Sequence, residues 1–424
     1  MPGEAAHGDF DAVDGHAQED ACEPLYVLGM YDVIIVGARC AGAAAALLLA
    51  RQGVKVLLTD RVTFPSDTVS THLLHPTGVA RLRDWGLLEP LLATGCPPIE
   101  AISFQPAEDL ILRGAPHAHD GVSASLAPRR TVLDALLVEA AVQAGADLRE
   151  GASFRRALWA DGRVVGAEFG GGSRADGSGF AERAALVIGA DGRHSAVARH
   201  VGAHPVRDAG TYGCQFYGYW PGLPDTGTQI FVGGGQAVLA YPTHDEHHLV
   251  LVGWPHARFS EVKQDIDRHF LAAVAQSAPS VREYLTDAAR AERITGSGDL
   301  ALYIRESSGP GWVLAGDAAM AKDPVTAQGI GDAFAQAQSL AERLPAALAA
   351  GPQAVDAATA DHVAARDRDG VAAFETTLAF AMGGNSGALL PVLRSVENRP
   401  DLISMFYGIY AGQVTLEEFV AAAG

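Results

Sequence analysis

Lysine is nearly absent from the chain: only Lys55, Lys263 and Lys322 appear among 31 basic residues, and 50 acidic residues leave a net charge of −19. So little clustered positive charge excludes a phosphate backbone or an anionic membrane surface as partner. Cysteine is scarce as well. Cys22, Cys40, Cys96 and Cys214 form no C-x-x-C and have none of the close spacings of a zinc site, a pattern that fits a reduced cytoplasm and no metal. No G-x-S-x-G elbow and no H-E-x-x-H occurs, so hydrolase chemistry has no foothold. The apolar run from Val33 to Ala50 is broken by Arg39 and two glycines and follows no basic segment, which argues against a signal peptide or a membrane span.

What is there belongs to a globular protein. Hydrophobic residues make up 48% and charged residues 19% of 424 positions, a length that exceeds one hydrophobic core and predicts two interleaved domains or one domain with large insertions. Residues 1–29 hold seven acids and no Lys or Arg, so the remainder carries −12. That segment reads as an acidic, disordered tail, with Met30 a candidate natural start.

After the tail, a short β-branched run (31–36), a glycine turn, an Ala/Leu-rich stretch to Gln52 and a second apolar run (54–59) have the size and order of one βαβ unit. Residues 131–144 have helical spacing. The runs 154–159 and 164–169 flank Ala160-Asp161-Gly162-Arg163, a hairpin turn, and 170–179 reads as a looser turn. From Thr211 to Trp254 strands follow one another without helices. The expected fold is α/β: a Rossmann-like domain, an antiparallel-sheet substrate domain and a helical C-terminal segment. Its expected boundaries are 30–205 with 306–345, then 206–305, then 346–424.

Gly37-Ala38-Arg39-Cys40-Ala41-Gly42 sits between the first strand and helix, where a dinucleotide pyrophosphate docks on free N–H groups. Gly37 permits the turn, and Gly42 lets helix and strand approach. Arg39 stands where the middle glycine usually sits, so its side chain either points away or sets a charge beside the pyrophosphate. Gly37, Ala38, Arg39, Ala41 and Gly42 are the candidate contacts. Asp60, with Arg61 beside it, ends the second strand, where a carboxylate can accept from ribose hydroxyls.

Two further clusters, Gly189-Ala190-Asp191-Gly192-Arg193 and Ala315-Gly316-Asp317-Ala318-Ala319, complete a set of three ordered motifs. Together they resemble the flavoprotein monooxygenases of the para-hydroxybenzoate hydroxylase type, a family that also holds halogenases and prenyl reductases. The resemblance spans roughly 30–345 and implies that the Rossmann-like domain is an FAD-binding domain of the glutathione-reductase type. It implies FAD as cofactor, with Gly316 and Asp317 at the ribitol chain and Asp191 and Gly192 serving both FAD and the nicotinamide. Pro324, Gly329, Ile330 and Gly331 lead into a helix whose positive end would face the flavin. Arg130-Thr131-Val132-Leu133-Asp134 resembles the family's Arg-x-x-Leu-Asp, whose arginine lies along the cofactor. Met320 and Gly331 replace the family's usual His and Asn.

On the substrate side, strand alternation puts Tyr212, Phe216 and Trp220 on one face and Tyr217 and Tyr219 on the other, so one of these faces could wall an aromatic pocket, with Phe216, Tyr217, Tyr219 and Trp220 the candidates. His72, in a loop that relatives bring over the flavin, is the candidate base. Lys322 lies beside the flavin loop, as a halogenase would need. His244-Asp245-Glu246-His247-His248 reads as a polar turn. The resemblance implies a monooxygenase that hydroxylates or epoxidises an aromatic or polyketide-like molecule of specialised metabolism through a C4a-hydroperoxyflavin. Its partners would be molecular oxygen and NAD(P)H, used directly or through a separate flavin reductase, since no second glycine fingerprint is present. The alternatives are a halogenase, a double-bond reductase, or a flavin-binding protein without turnover.

Overall fold

A computed structural model describes residues 31–171, 179–286, 290–383 and 386–424. The acidic tail, the centre of the 170–179 turn and the Gly384-Asn385 pair lie outside the described residues.

The Val33–Val36 strand, Val-Ile-Ile-Val, is buried throughout. That is the composition a parallel strand needs when helices cover both faces. It pairs in parallel with Val56–Thr59 on one side and Leu186–Gly189 on the other. The sheet extends outward to Asp147–Arg149 and to Trp312–Leu314, with Ser308–Gly309 as an antiparallel edge. The chain leaves the central strand to both sides of the sheet, so the crevice at the carboxyl ends of these strands is where a ligand belongs.

Alanine and leucine surround the Cys40–Ala50 helix on every side, and almost all of it is buried. It lies against the Arg130–Gln143 and Gly329–Ala350 helices. The Ala152–Ala160 and Arg163–Gly171 strands pair as a hairpin, with Asp161 and Gly162 both at positive φ, as a tight primed turn requires.

A second sheet has seven strands, in the order Thr295–Ser297, Gly213–Pro221, His247–Pro255, Gln236–Pro242, Thr228–Gly233, Ile102–Ala107 and Leu110–Gly114. Its last two strands come from within the span read as the first domain. Ile102–Ala107 joins Thr228–Gly233 in parallel across more than 120 positions, a pairing that no local pattern announces. One face of this sheet, with Phe216, Trp220, Val252 and Trp254, packs on the Ile266–Ser277 helix, where Trp220 stacks on Phe270. Over part of the other face, Leu393, Ile403, Phe406 and Tyr407 of the C-terminal helices close against Phe104, Leu110 and Leu112. The C-terminal segment is therefore a wall of the second domain.

Candidate active site

At the end of the central strand Gly37 has φ +99°, and a Cβ there would lie 2.4 Å from the Ala190 carbonyl oxygen. A Cβ on Gly42 would come within 1.8 Å of the Gly37 carbonyl oxygen. Turn and helix can approach this closely only as glycines. The first amides of the Cys40–Ala50 helix have no capping side chain. They are free for an anion.

Asp60 Oδ2 accepts from the Ala38 amide at 2.8 Å and Oδ1 from the Val62 amide at 3.1 Å. The carboxylate thus braces the turn and keeps spare lone pairs for a ribose hydroxyl. Arg61 is exposed. The Arg39 guanidinium turns away from the helix terminus to Asp134 Oδ2 at 2.7 Å, Ser66 and the Asp67 carbonyl. Ala41 is buried against Gly316, where a Cβ would stop 2.9 Å from it.

Asp134 is fully buried and serves two cations. Arg130 forks onto it at 3.0 and 2.9 Å, while Arg39 shares the same carboxylate. Burial pushes the Cys40 thiol pKa up, so the thiol stays protonated and donates to Asp134 Oδ1 at 3.3 Å. Two guanidiniums on one carboxylate leave a net positive charge behind the dinucleotide turn.

Gly316, at φ +61°, donates its amide to Gln336 at 2.9 Å. Asp317 turns a partly exposed carboxylate into the crevice, 3.6 Å from Arg193. Arg193 also donates to the carbonyls of Ala301 and Lys322, which pins the loop that follows. Sequence reasoning gave Arg193 no role, although its place in the second motif was a signal. Asp191 is committed elsewhere: it accepts from Ser195 Oγ and the Ala196 and Val197 amides at the start of the Ala196–Val201 helix. The backbone at Asp191 and Gly192, the latter at φ +76°, is what this arrangement leaves uncommitted for a cofactor. Asp317→Ala is expected to weaken FAD retention about tenfold while leaving the fold intact, as read by equilibrium dialysis of flavin.

Asp323 caps a short turn over Pro324–Thr326, and Ala327 at φ +52° leads into the Gly329–Ala350 helix. That helix also lacks a capping side chain. The Ile330 side chain is buried in the first core, so only its amide faces out. Gly329 has open space where a Cβ would be, and Gly331 has only the Thr77 hydroxyl at 3.9 Å.

Pro324 and its neighbours to Ala327 form one wall of a cavity of about 670 Å³. The inner face of the second sheet supplies its floor and Phe380, Leu393, Phe406 and Tyr410 its far side. Of the expected aromatic residues, Tyr212 borders it and the other four do not. Phe216 and Trp220 point through the sheet into the helices behind, and Tyr217 and Tyr219, though on the correct face, are covered by His72. The alternation was right for these four strand residues, none of which meets the cavity, while Tyr212 precedes the strand and reaches it.

His72 likewise lies outside the cavity wall, which corrects its assignment as the base. At φ +61° its ring turns back into the protein, stacks on Tyr219 and meets the Tyr219 hydroxyl at 2.6 Å. Burial, with Arg130 and Arg129 nearby, holds its pKa well below the usual histidine range. His75 and His117 are the histidines at the cavity, and His75 is bonded to the Thr326 carbonyl at 2.9 Å. Lys322 is buried, paired with Asp332 at 2.8 Å and with the Gln328 side chain, so its ammonium is not free.

Asp323 Oδ1 accepts from the Val325 amide, but Oδ2 is buried without a partner, and burial pushes the carboxyl pKa up to about 6. Ionisation is then harder in the folded chain than in the unfolded one. The stability this contributes is present below the unfolded value near 4 and lost as pH rises through 6. Asp323→Asn is expected to be more stable than the parent at pH 8, by about 2 kcal/mol, and no more stable at pH 4, a comparison that urea unfolding makes directly.

The profile of the FAD binding domain family matches residues 30–368. The chain belongs to the FAD binding domain family. The residues present fit that cofactor. Two glycines stand where a Cβ would strike backbone, two long helices offer uncapped N-termini to the crevice, and the Arg39–Asp134–Arg130 cluster carries net positive charge. Among relatives, 6-methylpretetramide 4-monooxygenase of Streptomyces rimosus is 28% identical over 315 residues, 70% of this chain and 71% of that protein. Digeranylgeranylglycerophospholipid reductase 2 of Methanopyrus kandleri is 28% identical over 312 residues, 71% of this chain and 73% of that protein. The flavin-dependent brominase Bmp2 shares the fold, with a TM-score of 0.76 over 93% of this chain and 97% of its own at 18% identity. No helix among the described residues is long and apolar enough to cross a membrane.

Proposed function

We propose that the protein is an FAD-dependent monooxygenase that inserts one oxygen atom into an aromatic or polyketide-like small molecule. The observation that carries this reading is the continuity of cavity and cofactor crevice. The loop from Pro324 to Ala327 that introduces the Gly329–Ala350 helix is at the same time a wall of an apolar cavity of drug-like size.

FAD, once reduced, supplies the electrons that activate molecular oxygen. The chain's own part is placement and exclusion of water. Gly37, Gly42 and the first turn of the Cys40–Ala50 helix would hold the pyrophosphate, Asp317 would accept from the ribityl hydroxyls, and the amides at Gly329, Ile330 and Gly331 would direct a helix dipole at the flavin. Leu239, Leu251, Ile230 and Phe406 keep the reacting centre dry. NAD(P)H supplies the electrons, directly or through a separate flavin reductase, in the cytoplasm. The Streptomyces relative supports oxygenation and the Methanopyrus relative, equally similar, favours double-bond reduction as the second reading. A brominase-like role is less favoured, because Asp332 and Gln328 occupy Lys322.

The test is product mass from a panel of polycyclic phenols under ¹⁸O₂ with bromide present. Gain of one labelled oxygen supports the reading; gain of two hydrogens or of one bromine replaces it.

A further inference from the structure

Four buried glutamines occur among the described residues, and three make side-chain hydrogen bonds. Gln236 donates to Ala273 and Ser277 and accepts from Trp254; Gln328 bridges Lys322 and the Tyr410 carbonyl; Gln336 accepts from the Gly316 amide. Gln215 differs. It is 7% exposed, it lines the cavity, and its carboxamide makes no hydrogen bond among the described residues. Neither carboxamide atom is sealed off, so the cavity's contents, ligand or water, are what complete its hydrogen bonds.

The sheet register shows what lies beside it. Gln215 is opposite Gly253, Gly253 opposite Ala237, and Ala237 opposite Val232, and all four border the cavity. This row crosses four strands, roughly 14 Å. Next to it runs a tall row, Leu251, Leu239, Ile230 and Phe104. On its other side Gly213 lies under Asp323, where a Cβ would stop 3.1 Å from Oδ2. The small residues therefore form a trough, long across the strands and narrow along them. It is bounded by aliphatic side chains on one side and by the loop that precedes the Gly329–Ala350 helix on the other.

We propose that Gln215 is a specificity-determining residue that recognises a carbonyl or hydroxyl on the edge of a planar, fused-ring substrate lying in this trough. A carboxamide both donates and accepts, so it pairs with either group. By fixing one end of the ring system it sets which carbon faces the flavin loop. This rests on the cavity being the substrate site of the oxygenation reading.

The test uses FAD-loaded protein and two planar three-ring probes, 1,8-dihydroxyanthraquinone and anthracene, titrated by tryptophan quenching. The parent protein is expected to bind the oxygenated probe about tenfold more tightly than the hydrocarbon. Gln215→Leu is expected to reduce that preference to about twofold or less with FAD content and melting temperature unchanged. Gln215→Glu, which keeps shape and polarity, is expected to remain folded and to disfavour the quinone carbonyl. Binding of neither probe, equal binding by the parent, or an undiminished preference in both variants overturns the proposal. If Gln215 governs probe binding but no substrate gains oxygen, the oxygenation reading fails alone. If oxygen is inserted while Gln215→Leu alters neither affinity nor the position of insertion, this inference fails alone.

Discussion

Gly42→Ala is expected to produce a chain that folds poorly around its nucleotide turn and retains no FAD through purification. The added Cβ would sit 1.8 Å from the Gly37 carbonyl oxygen and 3.1 Å from Ile35 Cγ2. Backbone and a buried strand residue cannot yield as a flexible side-chain tip can. The turn must shift, and the amides that converge on the pyrophosphate lose their common focus. A loss of affinity on the order of 100-fold or more, about 3 kcal/mol, is expected from flavin titration of the apoprotein. Gly53→Ala is the control: its φ is +81° but nothing lies within 4 Å, so a cost of about 1 kcal/mol in stability and no change in FAD affinity are expected. Similar FAD affinity in both variants would remove the steric account of the turn.

The second large effect lies at Asp134. This carboxylate has no solvent exposure and holds Arg130, itself nearly buried, together with Arg39. Removing it in Asp134→Ala leaves a buried guanidinium without a counter-charge, for which about 3–5 kcal/mol of destabilisation is expected in urea unfolding. Asp134→Asn, which can still accept one hydrogen bond, should fall between. With the carboxylate gone, the phosphates of bound FAD would supply part of the missing counter-charge, so added FAD should raise the variant's unfolding midpoint more than the parent's. A loss below 1 kcal/mol in Asp134→Ala would mean that the cluster is solvated and structurally idle.

The first domain was legible because its signals are local. Val33 to Val36, the Gly37 turn and the helix after it are contiguous, and each residue's role follows from its neighbours. The hairpin at Asp161-Gly162 was readable for the same reason. The second sheet was only half legible, since Ile102–Ala107 reaches it by a long-range parallel pairing. Alternation along Gly213–Pro221 correctly separated Phe216 and Trp220 from Tyr217 and Tyr219, but which face opens on a cavity depends on the helices packed behind it. His72 and His75 share one loop. The positive φ that turns His72 inward is a tertiary constraint with no mark in the sequence. Gln215 did leave a mark: a polar residue within Cys-Gln-Phe-Tyr, at a buried strand position, breaks the pattern of its surroundings.

The central claim is that FAD occupies the crevice formed by Gly37, Gly42, Asp317 and the Gly329–Ala350 helix. Reconstitution of the purified chain with FAD, followed by desalting and visible absorbance, tests it most directly. One FAD retained per chain, with an oxidised-flavin spectrum perturbed from that of free FAD, is the predicted result. A chain that folds but retains no flavin after incubation with excess FAD would contradict it.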